Sequence, residues 1–191
     1  MPSIYGIDFR RDWLSQLFVA LSGVIDDIHE KLDKVDGYDG IFALEKSELI
    51  LGIAFIAAQT YVAGMVADIN VIRGKSKQLT KWKLLECDVA PIAEGVTPLQ
   101  LVDAIANYHK HHEEWDDWCL NRKNEHITSI LNKSGINKET EFPCYTAATL
   151  LWPVSKLGEF RYLLNLLVDW RERVFREYGP QGNSSPVEEV R

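Results

Sequence analysis

The sequence predicts an all-α protein, an up-and-down helical bundle of four long helices plus short helices, on three observations. Apolar residues recur at steps of three and four over long stretches, the spacing that stacks side chains along one helix face. No segment shows the apolar/polar alternation of a half-buried strand. Breaks between the periodic stretches fall at Gly, Pro and Asp, the residues that stop or cap helices.

The first helix is expected from Phe9, Trp13, Leu17, Leu21, Val24, Ile28, Leu32 and Val35, which repeat at helical spacing after the potential cap Asp8. Asp36-Gly37-Tyr38-Asp39-Gly40 then supplies a turn. A second helix is predicted from about Phe42 to Ile72, stopped at Gly74 in Arg73-Gly74-Lys75-Ser76-Lys77. Leu79 to Val89 reads as a short helix before the irregular stretch of Pro91, Gly95 and Pro98.

Thr97-Pro98-Leu99-Gln100 fits a capping box, with threonine as cap, proline in the first turn and glutamine reaching back. The long helix it opens carries the seam Leu101, Ile105, Tyr108, His112, Trp115 and Cys119, and helical character is expected to continue, with or without a break, to Leu131 before Gly135. Tyr145 to Leu151 reads as a short helix stopped by Trp152-Pro153. Ser155 is the expected cap of a last long helix reaching Tyr178, with Leu157, Phe160, Leu164, Leu167, Val174 and Tyr178 inward. Residues 1–180 are thus read as one helical-bundle domain and 181–191 as a disordered tail.

A chain of 191 residues, 46% hydrophobic, has enough apolar surface for one sizeable core. Its net charge of −7 opposes the field of a dedicated DNA-binding module, so no DNA partner is expected. Cys87, Cys119 and Cys144 form no CxxC pair, and read as reduced thiols in a cytoplasmic protein. Asp8, Arg10, Arg11 and Asp12 fall where a secretory signal needs an unbroken apolar core. Leu49 to Ala67 is the exception to this soluble character. With Gln59 and Thr60 as its clearly polar side chains, it is either a buried core helix or a membrane span. Its many glycines and alanines favour the core reading, and no membrane is expected.

The densest set of reactive side chains is Asn107-Tyr108-His109-Lys110-His111-His112-Glu113-Glu114-Trp115-Asp116-Asp117. On a helix, His109, His112, Glu113 and Asp116 project in neighbouring directions, a set suited to a divalent metal. The Glu-x-x-His units of di-iron bundles do not occur, and Asp26-x-x-His29 is the nearest relative. Along another edge lie Asn107 and His111, four residues apart. Asn107-Tyr108-His109-Lys110-His111 resembles the Arg-Asn-x-x-x-His motif of HEPN domains, small helical bundles common in toxin–antitoxin and phage-defence systems. The resemblance implies a ribonuclease in which His111 transfers a proton, with Ala106 standing where the motif has its charge-stabilising arginine.

Lys75, Lys77, Lys81 and Lys83 around Trp82, with Arg73 before them, form a basic stretch that suits RNA, with the indole stacking on a base. Phosphate-loop, nucleophile-elbow and zincin motifs are absent from the sequence. The leading expectation is an interaction or regulatory module with a protein partner or a second copy of itself, its six tryptophans serving core and interface. The alternatives are the HEPN-like ribonuclease and a metal-binding bundle.

Overall fold

A computed structural model of the chain describes residues 8–34, 39–74, 77–87, 90–115, 118 and 124–179, and among these every regular element is helical. The α-helices are α1 (Phe9–Lys34), α2 (Gly40–Arg73), α3 (Lys81–Leu85), α4 (Pro98–His111), α5 (Glu125–Lys133), α6 (Pro143–Leu151) and α7 (Arg161–Tyr178). The expected tail 181–191, with Lys75, Asp116 and Cys119, lies outside the described residues.

Local signals place several helix ends. Asp8 Oδ1 accepts the Arg11 amide at 3.1 Å, and Asp39 Oδ1 accepts that of Phe42 at 2.8 Å, so each carboxylate takes up a donor the first turn leaves unsatisfied. Thr97 and Gln100 form the expected reciprocal capping box at the start of α4. Gly74, at φ 75°, closes α2 by donating its N–H to the carbonyls of Asn70 and Val71.

The 34-residue α2 is the axis of the fold, packed against α1, α4, α6 and α7. Its buried residues, Leu51, Ala54, Phe55, Ala58, Val62, Met65 and Ile69 among them, recur along nearly the whole helix. The apolar run Leu49–Ala67 is therefore a core helix on one side. By length and hydropathy it would also pass for a membrane span. Trp170 of α7 is fully buried and donates its indole N–H to the Leu84 carbonyl at 2.8 Å, tying α7 to α3. At the start of α1, Asp8 accepts from the Tyr61 hydroxyl and lies 3.3 Å from the Arg171 guanidinium, joining α1, α2 and α7.

Three expectations are corrected. The core face of α1 is Leu14, Phe18, Leu21, Ile25 and Ile28, whereas Phe9, Trp13, Leu17, Val24 and Leu32 are exposed. This helix has two apolar stripes, and the neighbours α2 and α7 select which one is covered. The helix opened by Thr97 ends at His111, so the expected seam does not run on through Trp115, and helix resumes in α5, which includes Leu131. A 3-10 turn spans His112–Glu114 and Trp115 adopts an extended backbone. The tryptophans then return to cover Tyr108, with ring centroids 5.6 Å away for Trp115 and 5.5 Å for Trp118, burial that a straight polar helix could not provide. Ser155 lies in the 3-10 turn Val154–Lys156, and α7 begins at Arg161 with no side-chain cap.

Candidate functional site: the α4 histidines and an apolar outer face

The histidines at the end of α4 divide between interior and surface. His109 is half-buried, and its ring sits against α2 at Gly52, where a Cβ would fall 2.3 Å from Cε1 and Nε2. A side chain at position 52 would exclude the imidazole, so glycine is what admits it. On its other side His109 Nδ1 lies 3.6 Å from the Cys144 thiol of α6. Burial lowers the His109 pKa, partly opposed by the Glu48 carboxylate. Burial, reinforced by Glu48, holds the Cys144 thiol well above its ordinary value. A neutral imidazole therefore faces a protonated thiol, the reverse of the charged pair a nucleophilic cysteine needs. Glu48 itself caps α6, its two oxygens accepting the backbone N–H groups of Cys144 at 2.7 Å and Tyr145 at 2.8 Å. Sequence spacing gave no sign of this arrangement, because its parts come from three helices.

His112 stacks on Tyr108 at 4.9 Å and lies 6.3 Å from His109 between ring centroids. Glu113 is exposed in the following 3-10 turn. The structure thus brings His109 and His112 near each other, and among the described residues no three His, Cys, Asp or Glu side chains converge as a metal site would require.

Asn107 and His111 point to different surroundings. Asn107 Nδ2 donates to the backbone carbonyl of Asp103 at 2.9 Å and more weakly to its carboxylate at 3.4 Å. His111 is exposed, with Nδ1 3.5 Å from Glu114. Asp103 is buried and satisfied from three elements: Lys81 at 2.7 Å, Gln59 at 2.7 Å and Asn107. Lys110 in turn donates to Gln59 at 2.7 Å. This network binds α2, the start of α3 and α4 together. In the basic stretch, Lys81 is spent on Asp103 and Lys83 lies 3.4 Å from Glu86. Trp82 packs edge-on to His126 at 5.1 Å, and Lys77 is exposed.

Among the described residues, many of the exposed large apolar side chains lie on the outer side of α1 and α2. On α2 the residues Leu49, Ile53, Thr60, Ala63, Ala67 and Val71 are exposed, with Ile56 half-buried between them. Their spacing of three, four and seven sets them in one row along about 33 Å of helix, at 1.5 Å per residue. Beside them on α1 stand Trp13, Leu17, Ala20 and Val24, all exposed, with Trp13 73% accessible. The two rows adjoin because Arg10, which shares a side of α1 with Leu17 and Val24, pairs with Asp68 and lies over Gly64 of α2. A cleft of about 490 Å³ lined by Trp13, Val71 and Phe175, among others, opens at one end. Compared with family models, with curated proteins and with solved structures, the chain finds no match in any of the three.

Proposed function

We propose that this protein is an interaction module, an all-α scaffold that presents the outer face of α1 and α2 to a helical protein surface. One observation carries the reading: the solvent-facing row of α2, Leu49, Ile53, Thr60, Ala63 and Ala67, contains no charge. A helix whose outer side meets water ordinarily places its charged residues there, and a contiguous exposed apolar patch marks a site of association. In this reading α1, α2, α4 and α7 are the long rods of an up-and-down bundle. The polar groups near the α4 histidines, Asp103 with its three donors and Glu48 of α2 capping α6, serve to hold those rods in place. A cytoplasmic setting agrees with Cys87 and Cys144, which are thiols and not disulfides.

The test is photo-crosslinking in the producing cell with a benzophenone amino acid at Ala63. A discrete protein adduct is expected from the folded chain. Folded protein that yields no adduct at Ala63 or at Ala67 overturns the reading.

A further inference from the structure

We propose that the occupant of this face is a second copy of the chain, laid antiparallel across it about a two-fold axis to form a four-helix interface; the inference rests on the interaction-module reading. The argument is one of size, charge and area. Along the α2 row, the N-terminal half is bulky, Leu49, Ile53 and Ile56, and the C-terminal half is small, Thr60, Ala63 and Ala67. Turned end for end about Ala58, the row meets its own copy with Leu49 over the partner's Ala67, Ile53 over the partner's Ala63 and Ile56 over the partner's Thr60. Each large side chain thus meets a small one, the interdigitation that close helix packing requires.

The α1 row has its own centre, midway between Leu17 and Ala20, about which Trp13 meets the partner's Val24. Arg10, which holds Asp68 of its own chain, then stands opposite the partner's Asp27, which holds Lys31, an arrangement that a parallel pairing would replace with like against like. The two centres stand nearly level in the fold. Arg10 lies against Gly64 and Asp68, so the middle of the α1 row comes opposite about residue 58 of α2. One two-fold axis therefore serves both rows, as a closed, isologous interface demands.

Area agrees. α1 is about 39 Å long at 1.5 Å per residue, and two helices side by side are about 20 Å wide, giving roughly 800 Å² per copy. That is the usual contribution of each partner to a stable complex. A lipid surface is a poorer match, since half of the α2 row consists of the small residues Thr60, Ala63 and Ala67 and the chain carries a net charge of −7.

The experiment is sedimentation equilibrium on the purified full chain, joined to cysteine pairing. A species of twice the 21.8 kDa chain mass is expected. Ala63→Glu sets a carboxylate on the partner's Ile53 and is expected to weaken association roughly a hundredfold or more, with the circular dichroism of the helices unchanged. Oxidising Ile53→Cys mixed with Ala63→Cys is expected to give a linked dimer above the wild-type background. Leu49→Cys alone is expected to give none, because its partner lies about 27 Å away along the helix at 1.5 Å per residue. A monomer throughout the micromolar range, a dimer undiminished by Ala63→Glu, efficient self-linking of Leu49→Cys, or flotation of the protein with phosphatidylcholine vesicles overturns the proposal. Should the cellular adduct at Ala63 form with a mass other than that of two chains, the interaction module stands and self-association falls.

Discussion

The imidazole of His109 occupies the space that a side chain on Gly52 would fill, so one helix carries a hole that a residue 57 positions away completes. Gly52→Ala is expected to force the ring out and destabilise the fold by about 1–3 kcal/mol, as overpacking does. The intrinsic gain of alanine over glycine in a helix, about 1 kcal/mol, offsets part of this. Urea unfolding of Gly52→Ala, His109→Ala and the double variant checks it. Single effects that simply add would show that the two positions do not compete for space.

The same contact makes stability depend on pH. Burial lowers the folded pKa of His109 below its ordinary value near 6.5, so the unfolded chain takes up a proton that the folded chain refuses. The associated stability is fully present above about pH 6.5 and is lost as pH falls through the depressed folded value. Unfolding midpoints measured across that window are expected to decline toward acid, and the His109→Gln variant to decline less steeply. Equal slopes would assign the acid sensitivity to other groups.

Asp103 is a buried carboxylate held by Lys81, Gln59 and Asn107. Asp103→Ala leaves the Lys81 ammonium without its carboxylate, while Gln59 and Asn107 keep only the Asp103 backbone carbonyl, and is expected to cost about 3 kcal/mol, read from chemical denaturation. Lys81→Met is expected to cost less, since the lysine is 38% exposed and water already screens the pair.

Glu48 holds the first turn of α6 from 96 residues away. Glu48→Ala is expected to remove about 1–2 kcal/mol, the ordinary value of a lost N-terminal cap, with faster amide exchange at Cys144 and Tyr145. Unchanged exchange at both amides would mean that the carboxylate does not cap the helix in solution.

Asn107 and His111 separate structural from ribonuclease roles. With its amide committed to Asp103, Asn107→Ala is expected to lower stability by about 1 kcal/mol, while exposed His111→Ala leaves it unchanged. Neither variant is expected to alter RNA in an incubation with purified protein. Cleavage by the wild type that His111→Ala abolishes would restore the HEPN-like reading.

How far the sequence could be read depends on the reach of the interaction concerned. The threonine and glutamine of the capping box and the glycine stop at position 74 were legible, because each acts within one turn of its own helix. The seam of α1 was not. Phe9, Trp13 and Leu17 obey helical spacing as well as Leu14, Phe18 and Leu21 do, and periodicity alone cannot say which row is covered. His109 and His112 were recognised as neighbours, but the contacts of His109 with Gly52 and Cys144, which decide its chemistry, cross between helices.

By itself, then, the sequence determined that this chain is helical and where several of its helices begin and end, since backbone hydrogen bonds and caps are satisfied locally. Only the tertiary structure decided which apolar row was buried and which stayed outside, that Glu48 caps a helix far along the chain, and that the α4 histidines face different surroundings. The physical reason is that burial belongs to pairs of helices: an apolar stripe acquires an inside only when another element comes to cover it.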